Sequence, residues 1–327
     1  MLRSRLTRRT FATLLTATAC ACGTPAASPT DTTASAPAAG VAEAAVTFRE
    51  AAWKPKREAD IPNDSMGASI RRGLYLLRFT RDSLPAYATS KLNCVSCHQD
   101  DGLRAQSGPL TGSHARFPKY MPRSGTVIAL ADRVNYCFTR SLAGNAIPVG
   151  SREMTDILSY LAFISKDIPV GTKIAGADGL ISMPDTLEGD VARGEALYTT
   201  KQCITCHGPD GQGVGVLPAL WGPQSYSVGA SMTRLERAAS FIRHNMPQTA
   251  PGTLSDQEAF DLSAYINSHP RPDSPGKELD WPSGGAPSDV PYDTKGHKAF
   301  RPPALIPRRN VAGALVPNPP SIRRPAR

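Results

Sequence analysis

The chain has 327 residues, enough for two domains of roughly 100–150 residues rather than one large core. Proline (30) and glycine (27) are abundant, aromatics make up 6% and apolar residues 40%, so much of the chain is loop. The net charge of +9 sits at the ends, with four arginines in the first nine residues and six in 301–327, which leaves −1 between them and removes the support for nucleic-acid binding. No apolar run reaches the ~18 residues that a spanning helix needs.

Residues 1–22 read as a signal peptide: Arg3, Arg5, Arg8 and Arg9 precede a short apolar stretch from Phe11 to Ala19. Within it, Thr7-Arg8-Arg9-Thr10-Phe11 resembles a twin-arginine export motif. Cys20 and Cys22 sit where bacterial lipoproteins carry their acylated cysteine, but neither follows the usual leucine, so a lipid anchor stays open. Residues 23–47 are a low-complexity Thr/Ala/Ser/Pro tether.

Seven cysteines in an exported chain would suggest disulfides, but their spacing points elsewhere. Four of them form Cys94-Val95-Ser96-Cys97-His98 and Cys203-Ile204-Thr205-Cys206-His207. Cys-x-x-Cys-His is the attachment site of c-type haem. Two thiols at that spacing reach the two vinyl groups on one porphyrin edge, and the adjacent histidine falls beneath the iron as proximal ligand. Zinc held by two Cys-x-x-Cys pairs would leave both histidines as coincidence in a chain with six in all. The sequence therefore predicts two covalent haems.

A common plan surrounds each motif. Arg72-Gly73-Leu74-Tyr75 precedes the first, and Arg193-Gly194-Glu195-Ala196-Leu197-Tyr198 precedes the second, each a helix with a glycine where another helix crosses closely. A long loop follows, and for the second motif the Gly/Pro-rich stretch from Gly208 to Gly229 would wrap the haem edge. Next comes a helix: one from about Ser151 with Met154, Ile157, Leu158, Leu161 and Ile164 on its apolar face, the other opened by the capping box Ser255-Asp256-Gln257-Glu258. From motif histidine to helix tyrosine is 62 residues in the first half (His98 to Tyr160) and 58 in the second (His207 to Tyr265). The expected fold is all-α: two tandem domains similar to class I cytochromes c, at 48–170 and 188–272. A linker at 171–187 joins them, and a Pro-rich extended tail occupies 273–327.

The sixth ligand at each iron decides function. Met246-Pro247 lies 39 residues after His207 and is the expected thioether ligand of the second haem; Met232 and His244 are its competitors. For the first haem Met121 and His114 come early, whereas Cys137 lies at a ligand-like distance from His98. Spacing alone reads Cys137 equally as a buried free thiol or as a thiolate on iron, with Arg123, Arg133 and Arg140 near in sequence to favour the anion.

Several segments between these landmarks resemble the dihaem thiosulfate dehydrogenases, which are related to the cysteine-ligated haem subunits of the sulfur-oxidation system. They are Leu92-Asn93 with the first haem motif, Phe117-Pro118-Lys119-Tyr120, Arg123-Ser124-Gly125, Asn135-Tyr136-Cys137-Phe138 and Ser151-Arg152-Glu153-Met154. The second half adds Leu220-Trp221-Gly222-Pro223, Ser225-Tyr226, Phe241-Ile242 and Asn245-Met246-Pro247. The resemblance implies His98/Cys137 ligation at a catalytic first haem and His207/Met246 at a relay haem. It implies oxidation of two thiosulfates to tetrathionate, with electrons passed to a small periplasmic acceptor such as a cytochrome c. Some members carry a lysine before that methionine and swap ligands with redox state; Asn245 stands there in this chain. Arg123 and Arg152, with Lys119, are the expected holders of the sulfonate groups, since a planar guanidinium suits oxyanions. Trp221 is expected to pack on a propionate or hydrogen-bond to it. The rival readings are a dihaem electron carrier without a reaction of its own and a subunit of a larger sulfur-oxidising complex.

Overall fold

The computed structural model describes residues 53–175, 179–184 and 186–299. The signal segment, the tether and the chain from Phe300 onward lie outside the described residues.

The first domain is built on helix α1 (Ser65–Arg78), helix α2 (Leu130–Tyr136) and helix α3 (Arg152–Phe163). Its one sheet is a hairpin of β1 (Lys119–Met121) and β2 (Thr126–Ile128), with Lys119 opposite Ile128. The second domain is built on α4 (Val191–Thr200), α5 (Leu235–Asn245) and α6 (Asp256–Asn267). Side-chain caps start four of these helices: Asp64 at α1, Ser151 at α3, Asp190 at α4 and the expected Ser255/Glu258 box at α6.

The repeated Arg-Gly pair explains why both halves adopt one architecture. A methyl group on Gly73 would lie 2.0 Å from the carbonyl oxygen of Asp156, and one on Gly194 would lie 2.0 Å from that of Asp261. Only glycine lets α1 cross α3, and α4 cross α6, at that distance. The arginine beside each glycine then forms a two-pronged ion pair across the crossing. Arg72 holds Asp156 at 2.8 and 2.9 Å, and Arg193 holds Asp261 at 2.8 Å through both nitrogens. The apolar faces close around these crossings as the helical spacing predicts: Met154, Ile157, Leu161 and Ile164 are buried in the first core, and Ala259, Leu262, Tyr265 and Ile266 in the second.

Residues 273–299 fold back as a strap in which Trp281, Val290 and Tyr292 form a small buried cluster. Asp280 on the strap pairs with Arg140, and Asp289 with Arg234. Proline and glycine give this stretch no periodicity, so its composition reads as extended. A few apolar anchors and two buried counterions nevertheless seat it.

The two domains also touch directly. The Lys91 ammonium donates to the carbonyls of Gly213 at 2.7 Å and Gln212 at 3.2 Å, and Tyr226 and Ala230 enter the first domain's core. Among the described residues no helix is long and apolar enough to cross a membrane.

Candidate active site

The first Cys-x-x-Cys-His motif opens as a single helical turn, Cys94–Ser96. Thr80 fixes that turn by accepting the Cys94 N–H at 3.0 Å. The motif lines a cleft of about 640 Å³, open mouth included, with walls of apolar side chains such as Leu77, Leu110, Phe138 and Leu161. Cys94, Cys97, His98 and Cys137 all face it. The His98 Nδ1 lies against the Gly108 carbonyl oxygen. A carbonyl accepts only, so Nδ1 carries the proton and Nε2 is left free for a metal. Two motif thiols, the imidazole beside them and a further thiol, gathered in one apolar cleft, fit a covalently attached haem.

Cys137 is placed by an unusual backbone. Helix α2 passes into a π-helical turn, Cys137–Ser141, and turns of this kind concentrate at functional sites. Arg133, one helical turn earlier, donates to the Cys137 sulfur at 3.2 Å. Burial alone would raise the Cys137 thiol, but the Arg133 guanidinium and His98 outweigh it and bring the thiol down to about 6. Cys94 and Cys97, without such a cation, are pushed by burial up to about 12.

Of the three arginines near Cys137 in sequence, only Arg133 reaches the sulfur. Arg123 and Arg140 converge instead on Asp280. Arg140 holds that carboxylate at 2.6 and 2.8 Å, and the Arg123 Nε lies 3.7 Å away. Arg123 is also stacked on Trp281 at 4.6 Å and donates to the Gly229 carbonyl oxygen at 3.0 Å. Arg152 does not line the cleft; its side chain is 72% exposed at the start of α3, 3.9 Å from Asp156. Lys119 lies on β1 over the Phe117 ring, and neither Met121 nor His114 lines the cleft.

At the second motif the His207 Nδ1 donates to the Pro218 carbonyl oxygen at 3.0 Å, repeating the orientation of His98. Met246 immediately follows α5 and packs half-buried against the second core, alongside Cys203 and Ile204. Met232 packs against the first domain's core instead, and the His244 ring is engaged with the Ser240 carbonyl of its own helix. Trp221 is buried in an aromatic cluster, stacked on His269 at 4.1 Å and edge-on to Tyr265.

Comparison with known proteins finds a cytochrome c domain in each half. Residues 86–170 match the model of the SoxA/TsdA cytochrome c domain, and residues 191–270 match that of cytochrome c. A thiosulfate dehydrogenase of Psychrobacter arcticus is 39% identical over 71% of this chain and 72% of its own length. One from Allochromatium vinosum is 39% identical over 65% of this chain and 82% of its own. The chain belongs to the thiosulfate dehydrogenase family. Among solved structures, the thiosulfate dehydrogenase TsdBA of Marichromatium purpuratum superposes with a TM-score of 0.62 at 31% identity, covering 68% of this chain and 50% of that one. As a member of this family the protein is an oxidoreductase carrying two covalently bound haem c groups.

Sequence reasoning missed Asp280, Trp281 and Gly108. The first two lie in a segment without periodicity. The role of Gly108 rests on a backbone carbonyl, which residue type does not encode.

Proposed function

We propose that the protein oxidises two thiosulfates to tetrathionate at the first haem, ligated by His98 and Cys137, and relays the electrons through a second haem ligated by His207 and Met246. The observation that carries this reading is Cys137, lining one apolar cleft together with His98 and with its anion favoured by Arg133.

The stoichiometry places Cys137 at the sulfur chemistry. Its thiolate joins the outer sulfur of one thiosulfate with loss of two electrons, giving a Cys–S–S–sulfonate. The outer sulfur of a second thiosulfate then attacks the outer sulfur of that adduct. The new sulfur–sulfur bond forms as the bond to Cys137 breaks, so tetrathionate leaves and the thiolate is restored. No proton is gained or lost. The haems supply the electron-accepting chemistry when bound. Arg133 holds Cys137 as the anion both before attack and as leaving group.

The N-terminal segment read as an export signal supports a periplasmic setting, where a small acceptor such as a cytochrome c would take the electrons. The test is holoprotein with thiosulfate and ferricyanide, followed by tetrathionate detection. Ferricyanide reduction with matching tetrathionate is expected. Fully haem-loaded protein that makes none would leave a dihaem electron carrier.

A further inference from the structure

The turn that holds His98 also touches the residue before Met246. Asn245, the last residue of α5, is fully buried, and its side-chain amide donates to the Phe241 carbonyl in its own helix at 3.0 Å and to the Gln106 carbonyl in the first domain at 2.8 Å. Gln106 has a left-handed backbone (φ 66°) and opens the turn that ends at Gly108, whose carbonyl oxygen receives the His98 Nδ1 proton. Between them, the Ser107 hydroxyl donates to the Cys97 carbonyl oxygen at 3.0 Å. The turn is therefore pinned at one end to the first haem motif and at the other to α5.

We infer that Asn245 is a positioning residue that couples the axial ligands of the two haems, by tying the Met246 backbone to the turn that orients His98. The inference rests on His98 and Met246 being ligands, as proposed above. The route runs from Met246 to its neighbour Asn245, across one hydrogen bond to Gln106, through Ser107 to Gly108, and across one hydrogen bond to the imidazole. A carbonyl accepting from the far nitrogen of a ligating histidine sets the ring's orientation and its basicity toward the metal. A shift of the Gln106–Gly108 turn therefore alters the first haem, and a shift of α5's end alters the second.

The bridge also carries a cost. The Asn245 Oδ1 is buried and finds no donor among the described residues. Turning the amide over to satisfy it would forfeit both donated bonds. The side chain holds the orientation that keeps the inter-domain bond at the expense of its own oxygen.

The test is spectroelectrochemical titration of the haem-loaded Asn245→Ala protein, with electron paramagnetic resonance of the oxidised state, beside wild type and Met246→Ala. Asn245→Ser, too short to span the gap, serves as a second variant should the first fail to load both haems. Both Asn245 variants should shift the potential and the resonance signal of the thiolate-ligated first haem as well as the methionine band of the second. A change confined to the second haem, or none at all, overturns the coupling. If Met246→Ala keeps the wild-type methionine band, it is the ligand assignment that has failed, and the two failures stay distinct.

Discussion

Asp280→Ala removes the one carboxylate shared by Arg123 and Arg140. The Asp280 side chain is 4% exposed, and the Arg123 and Arg140 side chains are 15% and 13% exposed, so solvent replaces little of what is lost. Arg140 forfeits a two-pronged pair, and the Tyr292 hydroxyl forfeits an acceptor at 2.7 Å. Breaking a buried pair by deleting one partner costs about 3–5 kcal/mol, because the remaining charge is stranded. For a folded region of this size each kcal/mol lowers the midpoint by roughly 2–4 °C, so a fall of about 10 °C is expected. The measurement is thermal unfolding of the haem-loaded protein by circular dichroism, repeated at ~1 M salt, which screens exposed pairs and leaves a buried one largely intact. A loss below ~1 kcal/mol, the worth of an exposed pair, would show that the strap is not seated on the two arginines as described.

Cys137→Ala should keep both thioether-linked haems, seen as two haem masses on the denatured chain, while tetrathionate formation falls by several orders of magnitude; near-wild-type turnover would remove Cys137 from the chemistry. Met246→Ala should abolish the methionine-to-iron band and lower one haem potential, since thioether ligation favours ferrous iron, and an unchanged spectrum would end the assignment. Arg72 and Ser69 hold Asp156 below the ordinary carboxylate range despite its burial. Its contribution is thus complete above that range and is lost as the pH falls through the depressed folded value. Thermal midpoints of wild type and Asp156→Asn should therefore differ at neutral pH and converge in acid. A constant offset would refute the linkage.

What the sequence makes legible is what repeats or what chemistry demands at fixed spacing. Gly73 and Gly194, the capping box at Ser255 and the two haem motifs each express a local rule, and the structure places the helices accordingly. The Arg133–Cys137 contact was within reach too, because residues four apart share a helix face, whereas Arg123 and Arg140 had no such relation to the thiol. The strap was not legible. Its seat depends on Arg140 meeting Asp280 across 140 residues of chain, a pairing that neither end announces.

The contacts between the domains change what the 171–187 linker is for. Lys91 on Gly213, Ser227 on the Arg140 carbonyl and Asn245 on Gln106 join the two halves without it, and the strap adds Asp280 on Arg140. The linker is itself seated, with Met183 buried in the second core and its N–H donating to Glu236, so covalent continuity adds local concentration to a register that these contacts set together. A chain nicked within the linker would migrate as one particle under native conditions and separate only in denaturant. The distance an electron travels between the haems would survive the cut.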